Sequence, residues 1–178
     1  MIKAGIDFSI TSPAICIGRP GETPTFHAFR KAKKQVSCHP NLILYDYPEW
    51  STQEERFDKL ATWAVQIVAD ADIIQMEAYA MRAMGNVFDI GEATGVLKHK
   101  LYVLGKKFER LIVPSEAKKF ATGKGNSKKN QMAISYLKEP CAIDVFGILG
   151  KEFDENNENV ASPMSDIIDA YWMWKFHE

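Results

Sequence analysis

The chain has 178 residues, 46% hydrophobic and 25% charged, with a net charge of −1; this suits one globular domain over residues 1–178 and excludes a disordered or fibrous chain. No apolar run approaches the ~20 residues of a membrane helix, and the first residues lack a charged-then-apolar leader pattern. Cys16, Cys38 and Cys141 are odd in number and lack C-x-x-C spacing, which argues against a disulfide framework and a structural zinc site and suits a reducing cytoplasm.

The opening "MIKAGIDFSI" alternates, with Ile2, Ala4, Ile6, Phe8 and Ile10 on one face and Lys3, Gly5, Asp7 and Ser9 on the other. That is a strand with an acid at its centre. After the turn "TSP" come a second strand, "AICIG", the Pro/Gly turn "RPGETP" and a third strand, "TFHAFR". Short turns between them imply an antiparallel meander. Residues 31–50, with several prolines and aromatics, receive no element. Ser51 and Glu54 form an S-x-x-E capping box ahead of Phe57, Leu60, Ala61, Ala64 and Val68 at helical spacing.

"DIIQMEAY" predicts a fourth strand with Glu77 near its end, and the Met- and Gly-rich "AYAMRAMGN" leads into a long helix over about 86–106. Gly91 and Gly95 stand four apart on it and permit close approach of another element. "ERLIV" is a fifth strand, stopped by Pro114. A short helix carries Lys118, a second follows "GKGNS" to about residue 138, and residues 140–160 read as a flexible acidic loop before a last helix. The order βββαβαβαα, antiparallel first and helix-connected later, implies a five-stranded mixed α/β sheet covered by helices on both faces.

Charge is segregated along the chain. From Lys98 to Lys138 eleven basic residues oppose Glu109 and Glu116, a net of +9; from Glu139 onward nine acids face Lys151 and Lys175, a net of −7. A charge run is usually a solvated face, but a dense basic stretch in a near-neutral domain also points to a polyanionic partner. The last helix, "PMSDIIDAYWMWKF", is apolar around most of its circumference yet holds Asp166 and Asp169 on one face. A buried, unpaired carboxylate is costly. The bland reading pairs one aspartate with a basic side chain and leaves the other exposed.

The sharper reading takes Asp7, Glu77, Asp166 and Asp169 together. If the first and fourth strands are adjacent and the last helix packs over them, the four carboxylates converge, and so many negative charges need a positive partner. With no His or Cys in the set, the site is oxygen-rich and selects Mg²⁺ or Mn²⁺. Two such ions ~4 Å apart are the apparatus for phosphodiester hydrolysis.

These residues resemble the RuvC Holliday junction resolvases of the RNase H-like superfamily. "AGIDFSITSPAICIG" is similar to that family's first strand and turn, with its first catalytic aspartate, and "IIQMEAYAM" to the strand ending in the catalytic glutamate. "IGEATGVLKHKL" resembles its glycine-bearing helix, and "VPSEAKKFATGKGNSKKNQM" its segment of a lysine, a G-x-G turn and a second lysine. "SDIIDAYWMW" resembles the terminal Asp-x-x-Asp-Ala helix. The motifs span residues 2–174 in order, with divergent spacers.

The resemblance implies an RNase H-like fold and a crossover junction endodeoxyribonuclease. Asp7, Glu77, Asp166 and Asp169 would be its catalytic metal ligands, for two Mg²⁺ ions that Mn²⁺ can replace, with Asp7 bridging both. Lys118 and Lys129 fall at positions where the family places phosphate-contacting or catalytically supporting lysines; Lys124 and Lys128 are added from charge alone. Gly91 and Gly95 fall on its dimer-interface helix, and a two-fold homodimer fits a four-way DNA junction nicked at two symmetric phosphates. Tyr79 and Met81 fall where the family has aromatics that enter the junction centre, although the loop is about one residue shorter; stacking and core packing of Tyr79 are both open. Residues 31–50 and 145–160 are extra relative to compact bacterial members, a combination that resembles the divergent enzymes of bacteriophages. For such an enzyme the setting is the bacterial host cytoplasm, with no membrane and no nucleotide cofactor.

Three rivals share parts of the pattern. A ribonuclease acting on RNA–DNA hybrids has the same carboxylate site. An actin-like or sugar-kinase ATPase opens with a similar strand and turn but needs a second phosphate loop and a second domain. A junction-binding protein without cleavage activity needs none of the four acids, and all four are present.

Overall fold

The computed structural model describes residues 1–33, 37, 39–78 and 87–176. Strands β1 (Lys3–Asp7), β2 (Ala14–Gly18) and β3 (Thr25–Phe29) form the expected antiparallel meander, with Gly5 opposite Cys16 and Cys16 opposite Phe26. A strand absent from the sequence reading, β4 (Leu42–Tyr45), lies parallel to β3 at the sheet edge. Its four residues, "LILY", are flanked by prolines and have only one fully buried side chain, Leu42. Period-2 alternation has nothing to register on in so short an edge strand.

Helix α1 (Gln53–Val68) starts one residue later than the S-x-x-E pattern implies. Thr52 is the cap: its hydroxyl accepts the Glu55 N–H at 3.2 Å, and the Glu55 carboxylate accepts the Ser51 N–H at 2.8 Å. The run S-T-Q-E-E offers two overlapping S/T-x-x-E pairs; Thr52 is the one that caps, while the Glu55 carboxylate reaches back one residue further, to Ser51. Strand β5 (Ile73–Glu77) pairs parallel to β1, with Gln75 opposite Gly5. Helix α2 (Val87–Val103) then leads to β6 (Arg110–Ile112), parallel to β5, and Pro114 ends that strand by opening α3 (Pro114–Thr122). Helices α4 (Lys129–Leu137), α5 (Val145–Ile148) and α6 (Met164–Lys175) complete the described chain. The four-residue α5 lies in the stretch read as loop, where one turn is too short to show a helical period.

The sheet has six strands, not five, in the order β4-β3-β2-β1-β5-β6. One face, including Ile6, Ile15 and Ile74, packs under Leu60, Ala64 and Leu97 of α1 and α2. The other, including Cys16 and Phe26, packs under Met132, Tyr136, Tyr171 and Trp174 of α4 and α6. Both faces are therefore covered, so β1 is buried along its whole length.

The residues on the second face of β1 set where α6 lies. At Gly5, a Cβ would stand 2.0 Å from the Trp174 nitrogen and 2.4 Å from the Ala170 oxygen, so only glycine admits the helix backbone this close. Two residues back, buried Lys3 donates from Nζ to the Phe176 carbonyl at 2.8 Å. On the neighbouring strand the Gln75 amide, oriented to satisfy both partners, donates to the Met173 and Phe176 carbonyls at 2.7 and 3.3 Å. These donors satisfy carbonyls that a helix end leaves open and favour its negative end. Two residues forward from Gly5 is Asp7. Helix α6 runs antiparallel to β1, and its first two turns carry Asp166 and Asp169 toward that carboxylate.

Candidate active site

Asp7 ends β1 and Glu77 ends β5; because these strands are parallel neighbours, both acids emerge at the same sheet edge. Asp7 is 9% exposed, and the Asp169 side chain 13%. Burial pushes the Asp7 carboxyl well above the usual range, and the nearby charges of Glu77, Asp169 and Asp166 push it further, with only Lys129 opposing them. Glu77 is raised to about 7, by burial first and then by Asp169. Asp169 is raised by burial, against the pull of Lys129. Asp7, Glu77 and Asp169 thus repel one another in a desolvated setting, and the Asp166 charge adds to the rise at Asp7 and Asp169.

The positive partner is Lys129, the first residue of α4. Its Nζ donates to Asp169 Oδ2. Burial alone would lower this ammonium's pKa, but Asp169, Asp7 and Glu77 outweigh it and raise the pKa. Lys118 also stands near, since its charge lowers both Glu77 and Asp169. Lys124 and Lys128 do not join the cluster: Lys124 lies exposed in the turn after α3, and Lys128 forms an exposed 3.4 Å ion pair with Glu158. Tyr79 and Met81 lie outside the described residues.

The two aspartates of α6 divide their roles in a way the bland reading half anticipates. Asp169 pairs with a base, as that reading has it. Asp166 is not simply exposed: its Oδ2 accepts the buried Ser12 hydroxyl at 2.6 Å, and its Oδ1 faces the Ser165 hydroxyl at 3.3 Å. Ser12 escaped the sequence reading, where "TSP" is only a turn; a hydroxyl five residues after the first acid is a weak signal among many serines. Lys129 was visible as a base but not as the counter-ion, because sequence separation hides a pairing across 40 residues.

As placed, no three carboxylate, imidazole or thiol groups among the described residues stand close enough to hold one ion together. The acids close on the Lys129 ammonium instead. Their chemistry nevertheless fits a hard divalent cation: every donor is a carboxylate oxygen, and three have pKa values raised, first by burial and then by neighbouring carboxylates. Two open clefts, about 580 Å³ between Lys31 and the 149–162 segment and about 750 Å³ beside Arg30 and Asp46, include none of these acids.

On the opposite side, Gly91 and Gly95 of α2 have nothing within 4 Å of a Cβ position. Phe88 and Tyr102, 80% and 78% exposed, extend the same stripe at helical spacing. Among the described residues, no helix is long and apolar enough to cross a membrane.

No protein-family model and no curated protein matches the sequence. Solved structures do match in fold. RuvC of Thermus thermophilus is 17% identical, over 97% of this chain and 92% of that one, with a TM-score of 0.56. The T. thermophilus RuvC complex with Holliday junction substrate is 14% identical over the same shares, with a TM-score of 0.60. The yeast mitochondrial Holliday junction resolvase Ydc2 is 13% identical, over 96% of this chain and 74% of that one, with a TM-score of 0.56. The chain thus has the RNase H-like fold of these resolvases across almost its whole length, with six strands in its sheet.

Proposed function

We propose that this protein, built on the RuvC fold, is a metal-dependent endonuclease that resolves four-way DNA junctions by paired symmetric nicks. The observation that carries the reading is the clustering of Asp7, Glu77 and Asp169 around the Lys129 ammonium, with Lys118 nearby, at the sheet edge formed by β1 and β5. Such a cluster has no role in packing, and it is costly to keep without one. The solved complex of T. thermophilus RuvC with Holliday junction substrate supports branched DNA as the partner.

Asp7, Glu77, Asp166 and Asp169 would hold two Mg²⁺ ions, which supply an activated water and neutralise charge on the leaving 3′-oxygen. The protein's own groups do the rest. Burial of Asp7 and Asp169 limits bulk water around the reacting phosphate. Lys129 and Lys118, which stand beside these carboxylates, would hold a non-bridging phosphate oxygen. Lys124 and Lys128 lie outside the cluster, exposed, and serve the flanking backbone. The products are a 5′-phosphate and a 3′-hydroxyl.

The exposed stripe of α2 is the surface we assign to a second copy of the chain. Gly91 and Gly95 leave room for backbone approach, and Phe88 and Tyr102 supply apolar area at either end. A two-fold pair places two sites against two symmetric phosphates.

The test is cleavage with Mg²⁺ on four-way, three-way, flap, linear and RNA–DNA hybrid substrates, with cut positions mapped. Symmetric nicks in the four-way junction are expected. Asp7→Asn is expected to abolish them and leave junction binding intact. An Asp7→Asn protein that cuts at the normal rate, or a wild type that cuts only the hybrid, overturns the reading.

A further inference from the structure

We infer that Ser12 is a positioning residue for Asp166, holding that carboxylate ready for a divalent cation. The inference rests on the nuclease reading above. Ser12 is 3% exposed, in the turn between β1 and β2, and its Oγ donates to Asp166 Oδ2 at 2.6 Å. An O–H···O⁻ bond of that length is charge-assisted and stronger than a neutral one. It fixes the plane of the carboxylate, whose Oδ1 accepts only the longer 3.3 Å bond from the Ser165 hydroxyl and keeps a lone pair for a ligand.

The turn that presents Ser12 is itself held from several directions. The Ser12 N–H donates to Ser9 Oγ at 2.9 Å. The Ile10 carbonyl accepts Arg56 Nη2 at 2.6 Å and also the Tyr47 hydroxyl, while Arg56 Nε donates to that same hydroxyl at 2.8 Å. The Thr11 carbonyl accepts Lys31 Nζ at 2.8 Å. Residues from α1 and from the 31–47 segment thus hold the Ile10 and Thr11 carbonyls of a turn whose one buried hydroxyl meets an acid of α6. This gives part of the 31–50 segment a role: it braces the turn beside the site.

Hydrogen bonds that orient metal ligands typically change metal affinity 10- to 100-fold when removed. The experiment is calorimetric Mn²⁺ binding without DNA, on wild type, Ser12→Ala, Ser12→Thr, Asp166→Asn and the Ser12→Ala/Asp166→Asn double variant. Ser12→Ala is expected to bind about 10-fold or more weakly, and Ser12→Thr, which keeps the hydroxyl, to stay within about 3-fold of wild type. In the Asp166→Asn background, Ser12→Ala is expected to change nothing further, because the two residues act as one unit. If Ser12→Ala does not fold, Ser12→Cys keeps the volume with a much weaker donor and reads the same loss. Wild-type affinity in Ser12→Ala, or an equal loss with and without Asp166, overturns the inference alone. A wild type that binds no Mn²⁺ overturns the nuclease reading as well.

Discussion

Replacing Gly5 with alanine tests the contact that brings the acids together. The added Cβ would lie 2.0 Å from the Trp174 nitrogen and 2.4 Å from the Ala170 oxygen, where ordinary contact is 3.4–4 Å. Both opposing atoms are backbone, so no side chain can turn aside. The helix must retreat by about 1.4 Å at Trp174, the gap between 2.0 and 3.4 Å. That stretches the 2.8 Å bond from Lys3 to the Phe176 carbonyl beyond hydrogen-bond range and leaves a buried ammonium without that acceptor. Lost buried bonds of this kind cost about 1–3 kcal/mol each, and the strained packing about 1–3 more. We expect Gly5→Ala to lower unfolding free energy by about 3–5 kcal/mol in urea titrations. In the fraction that stays folded, a displacement of about 1 Å between Asp7 and the α6 aspartates is expected to slow nicking about 100-fold. As a control, Gly21→Ala meets no neighbour within 4 Å and pays only for its φ of +83°, about 1 kcal/mol. A Gly5→Ala protein as stable as the Gly21→Ala control, with wild-type nicking, would refute the account of how α6 is placed.

Other outcomes follow from the same geometry. Glu77 titrates near 7 in the folded chain against 4.5 when unfolded, so the folded state holds the extra proton between those values. Metal-free stability should therefore fall as pH rises from about 4.5 to 7, by at most about 3 kcal/mol for this residue; thermal melts in chelator should show the slope, and Glu77→Gln should flatten it. Lys129→Gln removes the counter-ion of Asp169. Because the lysine side chain is 43% exposed, we expect a loss of about 1–2 kcal/mol in chelator rather than the 3–5 of a fully buried pair. The same variant should bind Mn²⁺ more tightly, since the competing ammonium is gone; weaker binding by calorimetry would contradict this. Gly91→Ala with Gly95→Ala should make α2 intrinsically more helical by about 1 kcal/mol per site. It should also weaken self-association in sedimentation, and an unchanged association constant would remove α2 from the dimer surface.

The core of the design was legible where one residue property repeats. Alternation around Asp7 exposed β1 and separated the Lys3-Gly5-Asp7 face from the apolar one, and the acids stood out as carboxylates in otherwise apolar elements, although Asp7 ends its strand rather than lying at its centre. The adjacency of β1 and β5 was a conditional guess that the parallel pairing bears out. What stayed hidden depends on partners distant in sequence. Strand β4 exists because β3 offers it a parallel edge, not because "LILY" alternates. The capping choice between Ser51 and Thr52 turns on a one-residue shift that composition does not resolve. The bond from Ser12 to Asp166 crosses 154 residues and leaves no local trace.

The acids also lie far apart in the order of synthesis. Asp7 and Glu77 can be brought together once β1 and β5 pair, but the other two carboxylates arrive only with α6. A chain emerging from the ribosome therefore carries a half-built cluster, and its β1 lacks the cover of α6, until residue 169 and the helix turns after it are free to dock. Such long-range closure is slow. On the nuclease reading proposed above, no partly made copy can cut.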